Sequence, residues 1–107
     1  MPKINLRQKL AQFNDYWKPK IIAELNGQHV KLVKFRGEFL WHHHDTEDEL
    51  FLVVAGRFRM EFRDRHEWIE QGECIVVPRG VEHRTRALER TIMLMVEGVG
   101  IVPTGSK

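Results

Sequence analysis

Residues 37–56 read GEFLWHHHDTEDELFLVVAG, and the prediction of the fold starts from this stretch. His42 and His44 stand two positions apart. Because alternate residues of a β-strand point to the same face, both imidazoles can reach one point in space. Glu49 begins an apolar run after the polar residues 45–48, which predict a loop. The pattern predicts two histidines and one carboxylate on neighbouring strands, a set that suits Zn, Fe, Mn, Ni or Cu.

Residues 72–83, GECIVVPRGVEH, add a fourth candidate ligand. Gly72 begins a predicted strand, Pro78 ends it, Gly80 turns the chain, and His83 begins the next run. Taken alone, each histidine is better explained as a surface or hydrogen-bonded residue. Only the ordered set of three histidines and one glutamate favours a metal site.

The two stretches together resemble the paired motifs of the cupin family over about residues 21–97. The first motif has a glycine, His-x-His, a glutamate and a glycine, here Gly37, His42, His44, Glu49 and Gly56. The second has a glycine, Pro-x-Gly and a histidine, here Gly72, Pro78, Gly80 and His83. The chain departs from the motifs in two places: Gly37 and His42 are one residue closer than usual, and Ala87 replaces the usual asparagine.

This resemblance implies an all-β fold, the double-stranded β-helix or jelly-roll barrel of cupins, here with a short N-terminal helix. It implies one divalent transition metal ion held by His42, His44, Glu49 and His83. It also implies a small organic molecule at an open metal position, with dioxygenase, isomerase, lyase and decarboxylase chemistry all left open. The alternative is a non-catalytic small-molecule binding or sensing module, so whether the chain is an enzyme is undecided. A purely structural role is a third interpretation.

The pattern along the chain supports a small jelly roll without the motifs. Residues 5–14 suit a short helix capped by Asn5, and Asn26-Gly27 predicts a hairpin turn between two β-rich runs. Residues 57–63 alternate strictly, with Phe58 and its apolar neighbours predicted inward and the charged residues predicted in solvent. Counting such runs gives about seven or eight strands and no long second helix.

Composition limits the possible partners and location. A chain of 107 residues predicts one domain, 1–107, with a barrel core at about 21–97. A formal net charge of +2 implies no nucleic-acid partner, and no apolar run reaches the ~18 residues that span a membrane. The single cysteine, Cys74, and the absence of a visible signal peptide favour the cytoplasm. Cys74 itself is predicted to be a buried, inert thiol.

The alternation of side chains along each strand predicts which residues surround the metal. Leu40, Phe51 and Val53 share the ligand faces, so the pocket is expected to be apolar, whereas Trp41 and His43 point outward. No inward lysine or arginine is predicted as an anchor. No general base is predicted apart from metal-bound water, with Tyr16 as an outside candidate. The N-terminal helix is expected to cover part of the barrel or a neighbouring subunit rather than to line the pocket.

Assembly is predicted from residues 91–96, TIMLMV, which are apolar on both faces. One face can lie inside the barrel, and the other must be covered. A homodimer is expected, in which a second chain covers the outer face. The competing interpretation is that the N-terminal segment folds back on its own barrel.

Overall fold

The computed structural model describes residues 2–101 and 104–106. Within these residues it contains seven antiparallel strands. The elements are α1 Leu6–Leu10, β1 Lys20–Leu25, β2 Gln28–Glu38, β3 Glu49–Ala55, β4 Arg57–Phe62, β5 His66–Glu70, β6 Cys74–Val77 and β7 His83–Gly98. The sheet order is β1-β2-β7-β3-β6, and β4 pairs with both β5 and β7. The predicted all-β barrel with a short N-terminal helix is confirmed.

Strand β7 joins the two sides of the barrel. The sequence analysis divides its residues into two runs, but the structure makes them one strand of 16 residues. The first part pairs with β4, for example Met60 with Thr85, and the second part pairs with β3, for example Leu50 with Val96. Strand β2 follows β7 along almost its whole length. His83, at the start of β7, is paired with Phe62 at the end of β4.

The core lies between the two curved sides of the sheet. Its side chains alternate along each strand because successive residues point to opposite faces. Burying each large apolar side chain stabilises the fold by about 1.5–3 kcal/mol. The buried cluster consists of Val33, Phe35, Phe51, Val53, Phe58, Met60, Ile69, Val77, Ala87, Met93 and Met95.

Two predictions about individual side chains are wrong. Cys74 is exposed, because β6 is an edge strand and the cysteine faces away from the core. Glu61 was expected in solvent but is 8% exposed. It lies beneath arginine side chains and accepts a hydrogen bond from Arg84 Nε at 2.6 Å, with Arg59 also paired to it.

The N-terminal segment packs on its own chain. Helix α1 is shorter than the predicted range 5–14, and Asn5 caps it by accepting from the Gln8 N–H at 3.0 Å. The buried Lys34 ammonium donates to the carbonyls of Leu10 at 2.6 Å and Phe13 at 2.5 Å. The homodimer and the single-domain assignment stay predictions. Within the described ranges, no helix has the length and apolar character to cross a membrane.

Candidate metal centre

The four predicted ligands lie together at one end of the barrel. Glu49 is the first residue of β3, and His83 is the first residue of β7. His42 pairs with His83 through two backbone bonds, in which each N–H donates to the other's carbonyl at 3.0 and 2.9 Å. His44 follows in the same loop. One candidate ligand atom from each residue lies within 4.8 Å of the others.

Contacts between the two motifs hold this arrangement in place. The Gly80 N–H donates to the His44 carbonyl at 2.7 Å. Asp48 accepts from the Arg79 backbone N–H at 2.9 Å and from its Nε at 3.2 Å. The turn that follows Pro78 therefore holds the loop that carries the histidines in place.

The imidazole rings of His42 and His83 are oriented by backbone carbonyls. The Nδ1 of His42 lies 3.0 Å from the Leu40 carbonyl, and the Nδ1 of His83 lies 2.9 Å from the Val81 carbonyl. A carbonyl only accepts, so each Nδ1 must carry the hydrogen. Each Nε2 then presents a lone pair to the centre, which is the tautomer that a metal ligand requires.

Three buried polar atoms at the centre lack a well-oriented hydrogen bond within the described structure. His44 Nε2 and His83 Nε2 lie 3.1 and 3.4 Å from Glu49 Oε1, but their directions do not form hydrogen bonds. The three residues are only 5%, 1% and 3% exposed. Buried polar atoms without partners cost free energy, and a cation between them removes that cost. The donor set therefore fits a divalent transition metal ion.

The electrostatics of the cluster agree with this fit. Burial lowers the pKa of His42, which favours the neutral imidazole. The adjacent Glu49 carboxylate raises the pKa of His44 in the absence of a cation. Burial alone raises the pKa of Glu49, but His44 and His83 outweigh it, so the Glu49 carboxyl titrates well below its usual range. The cluster is thus already arranged around a negative carboxylate.

A buried ion pair behind Glu49 was missed by the sequence analysis. Lys31 Nζ donates to Glu97 Oε1 at 2.6 Å, and the two residues are 8% and 1% exposed. Lys31 is buried but is not among the residues that line the cavity described below, so it is not an anchor of the kind considered from the sequence. The alternation of side chains along a strand could have indicated this pair, since Lys31 shares a face with Val33 and Glu97 shares one with Met95. Burial and the neighbouring Glu49 raise the pKa of Glu97 to about 7.

A partly open cavity adjoins the cluster, and about 520 Å³ of space lies in it when the solvent at its mouth is included. It is lined mainly by apolar side chains, as predicted, and Phe51 is among them. Leu40, in contrast, is 47% exposed, and Val53 belongs to the core. The lining residues are Trp17, Pro19, Val33, Phe35, Phe39, His42, Glu49, Phe51, His83, Thr85, Met93, Met95 and Glu97.

Trp41 and His43 point away from the cluster, as the alternation of side chains predicts. His43 Nε2 lies 3.0 Å from Asp45 Oδ1 at the surface. The Trp41 ring stacks against the guanidinium groups of Arg63 and Arg84 at 4.0 and 4.8 Å. Tyr16 is 39% exposed and is not among the described residues that line the cavity. Its neighbour Trp17, which follows the helix, does line the cavity, whereas no residue of α1 does among the described residues.

Comparisons with known proteins give one family and several close relatives. The cupin domain model Cupin_2 matches residues 29–97. The uncharacterized protein YdbB of Bacillus subtilis (strain 168) is 40% identical over 93 residues, 86% of this chain and 76% of the relative. A cupin-2 domain containing protein from Shewanella frigidimarina is 42% identical with a TM-score of 0.87, covering 89% of this chain and 93% of that one. Protein NMB1881 from Neisseria meningitidis is 36% identical with a TM-score of 0.82, covering 91% and 99%.

Proposed function

This chain belongs to the cupin family, and from that premise we propose that it binds one divalent transition metal ion and presents it to a small organic molecule. The proposed ligands are His42, His44, Glu49 and His83, the four residues whose candidate ligand atoms converge. Zn, Fe, Mn, Ni and Cu all suit imidazole and carboxylate donors, so the donor set leaves the identity of the ion open.

One observation carries the proposal: the proposed ligands form part of the cavity wall. His42, Glu49 and His83 line the cavity, while their ligand atoms point to the shared centre. A molecule in the cavity would therefore meet the ion directly. A site that only braced the fold would be closed by protein on all sides.

The chain's own residues prepare this site for chemistry. The carbonyls of Leu40 and Val81 hold two imidazoles as neutral ligands with the hydrogen on Nδ1. A divalent ion bound there supplies a Lewis acid, which polarises an oxygen of the bound molecule or lowers the pKa of a coordinated water. The Lys31–Glu97 pair places a second carboxyl beside Glu49, and most of the other residues that line the cavity are apolar.

The reaction class stays open among dioxygenase, isomerase and lyase chemistry. A hydroquinone 1,2-dioxygenase, PnpCD, is similar in structure with a TM-score of 0.72, but it is only 16% identical. That likeness concerns the fold, so it supports the capacity of such a barrel for catalysis without selecting a reaction. Non-catalytic binding of a small molecule at the same ion is the alternative function.

Elemental analysis of tag-free protein tests the metal proposal. Wild type is expected to carry about one metal ion per chain, because four converging imidazole and carboxylate donors are enough to bind a transition metal ion. The double variant His42→Ala/His44→Ala is expected to carry almost none. His43→Ala is the matched control, since it removes an imidazole from the same loop that points to the surface, and its metal content should equal that of wild type. Equal metal content in the double variant and wild type would contradict the proposal.

A further inference from the structure

We infer that the cavity is selective for a planar, uncharged aromatic molecule and that Trp17 determines this selectivity. The inference deepens the proposed function, because it concerns the molecule that would meet the metal ion. It rests on three independent features: the conformation of Trp17, the chemistry of the walls and the distribution of charge.

Trp17 is held in a conformation that directs its ring into the cavity. Its φ angle is +64°, in the left-handed region that residues with large side chains rarely adopt. Its N–H donates to the Lys34 carbonyl at 2.9 Å, which fixes the segment to β2. Strained backbone of this kind persists only where the surrounding structure holds it, and it concentrates at functional sites.

The ring of Trp17 forms a flat wall with its neighbours. It stacks on Phe39 with ring centroids 5.2 Å apart and an interplanar angle of 23°, and it lies 5.0 Å from Phe35. Phe51 and the flexible thioether side chains of Met93 and Met95 complete the apolar lining. Aromatic rings favour offset stacking or edge contacts with another ring, and methionine sulfur also packs well on aromatic faces. A planar ring gains these contacts, whereas a puckered ring of the same size does not.

The charges around the cavity favour an uncharged molecule. Among the described residues, no lysine or arginine belongs to the lining, while Glu49 and Glu97 do. The nearby Lys31 ammonium is already bound by Glu97 at 2.6 Å. In the metal-free protein, a carboxylate entering the cavity would lose its hydration without gaining a cationic side chain. Thr85 is the one lining residue with a neutral hydroxyl, which an uncharged polar group of the ligand can meet.

The region that supplies Trp17 lies outside the part of the chain that defines the family. The cupin domain match covers residues 29–97, whereas Trp17 and Pro19 precede it. The metal ligands all lie inside the match. Selectivity for the aromatic molecule is therefore assigned to a segment outside the family match.

Binding of three probes of similar size tests the inference: phenol, cyclohexanol and benzoate. Affinities are measured by calorimetry on metal-free and on zinc-loaded protein. Metal-free wild type is expected to bind phenol about tenfold more tightly than cyclohexanol, because only the planar ring stacks. It is expected to bind benzoate more weakly than phenol. In the zinc-loaded protein the preference for phenol over cyclohexanol should persist.

Trp17→Leu is expected to abolish the preference for phenol over cyclohexanol, and Trp17→Phe is expected to keep it. Trp41→Leu is the matched control, because Trp41 stacks on arginines outside the barrel. If Trp17→Leu does not fold, Phe39→Leu removes the stacked partner and should weaken the preference in the same way. Equal affinity of wild type for phenol and cyclohexanol, or a preference that survives loss of the stacked pair, would overturn the inference.

The outcome is separable from that of the metal proposal. Phenol binding to the metal-free chain does not require His42 and His44 to hold an ion. Failure of the elemental analysis would leave the phenol preference standing, and failure of the phenol preference would leave the metal content of wild type unchanged.

Discussion

The cavity has two walls that differ in origin and in character. The motif wall consists of His42, Glu49 and His83, which lie inside the matched cupin domain. The N-terminal wall consists of Trp17 and Pro19, which lie outside it. The motif wall is polar and contains buried atoms without hydrogen bonds, whereas the N-terminal wall is apolar. The comparison assigns the proposed metal ligands and the proposed aromatic selectivity to different parts of the chain.

The two walls are also held differently. Reciprocal backbone bonds join His42 to His83, and Gly80 adds a further bond to His44. The N-terminal wall, in contrast, depends on one residue of β2. Lys34 accepts the Trp17 N–H at its carbonyl, and its ammonium binds two carbonyls of the preceding segment. A change at Lys34 should therefore affect one wall without the other.

The largest effect is expected for Lys34→Met, which keeps the apolar stem and removes the ammonium. The carbonyls of Leu10 and Phe13 lose their buried donor, so the free energy of unfolding should fall by about 2–3 kcal/mol. The preference for phenol over cyclohexanol should weaken, while metal content stays at the wild-type value. Urea unfolding, calorimetry and elemental analysis measure the three quantities.

Lys20→Met is the matched control for this prediction. Lys20 forms an exposed ion pair with Asp15 at 2.8 Å, and such pairs contribute about 0–1 kcal/mol. A fall in metal content in Lys34→Met would contradict the separation of the walls, since it would show that the N-terminal wall supports the ligands.

A smaller effect is expected from pH, which should act on the motif wall and its neighbour Glu97. In the metal-free protein the pKa of Glu97 is raised to about 7 by burial and by Glu49, from a usual value of 4.5. The folded chain therefore binds more protons than the unfolded chain between these values. The resulting stability is fully present below pH 4.5 and is lost as pH rises through about 7. His44, whose pKa is also raised, acts in the same direction, whereas His42 opposes it.

We expect the free energy of unfolding of metal-free protein to fall by about 1–2 kcal/mol between pH ~5 and pH ~8. Glu97→Gln replaces the carboxyl by a neutral amide and should flatten this dependence. Glu89→Gln, an exposed change on the same strand, should leave it unaltered. Urea unfolding at several pH values provides the measurement. If the free energy of unfolding of Glu97→Gln falls with pH as steeply as that of wild type, a group other than Glu97 is responsible for the fall.

The motif wall was predictable from the sequence because its geometry follows from local rules. His42 and His44 share a face through the strand period, and Glu49 and His83 begin strands that glycine, proline and polar loops delimit. In the folded chain, the first residues of β3 and β7 then come together. All four residues lie where these rules and the cupin resemblance place them.

The N-terminal wall could not be predicted because its decisive features are not local. Trp17 reaches the cavity through a positive φ angle, which a tryptophan in the sequence does not indicate. Its anchor, Lys34, lies on β2, far along the chain. Lys31 and Glu97 were overlooked for a related reason: a charged residue on a strand is usually assigned to solvent, and only its partner on the neighbouring strand explains its burial.

The last prediction concerns the contact between the C-terminal residues and the loop that carries His42. The Ser106 N–H donates to the His43 carbonyl at 2.7 Å, and Ser106 Oγ accepts from the Asp45 N–H at 2.9 Å. Gly105, with φ +89°, packs so closely that a Cβ would lie 2.5 Å from the His43 carbonyl oxygen. These contacts predict that the tail steadies the loop that carries His42 and His44.

Gly105→Ala should therefore displace the tail and lower metal affinity about threefold, because supporting contacts tune the ligands without supplying them. Gly100→Ala is the matched control: its φ is +90°, but no described atom lies within 4 Å of the added Cβ. Both changes introduce similar backbone strain, on the order of 1 kcal/mol, so only the steric contact differs between them. Competition with a fluorescent zinc chelator measures the affinity. Equal affinities in the two variants would mean that the tail rests on the motif wall without supporting it, and that the wall is held by the β-sheet and the turn at Gly80 alone.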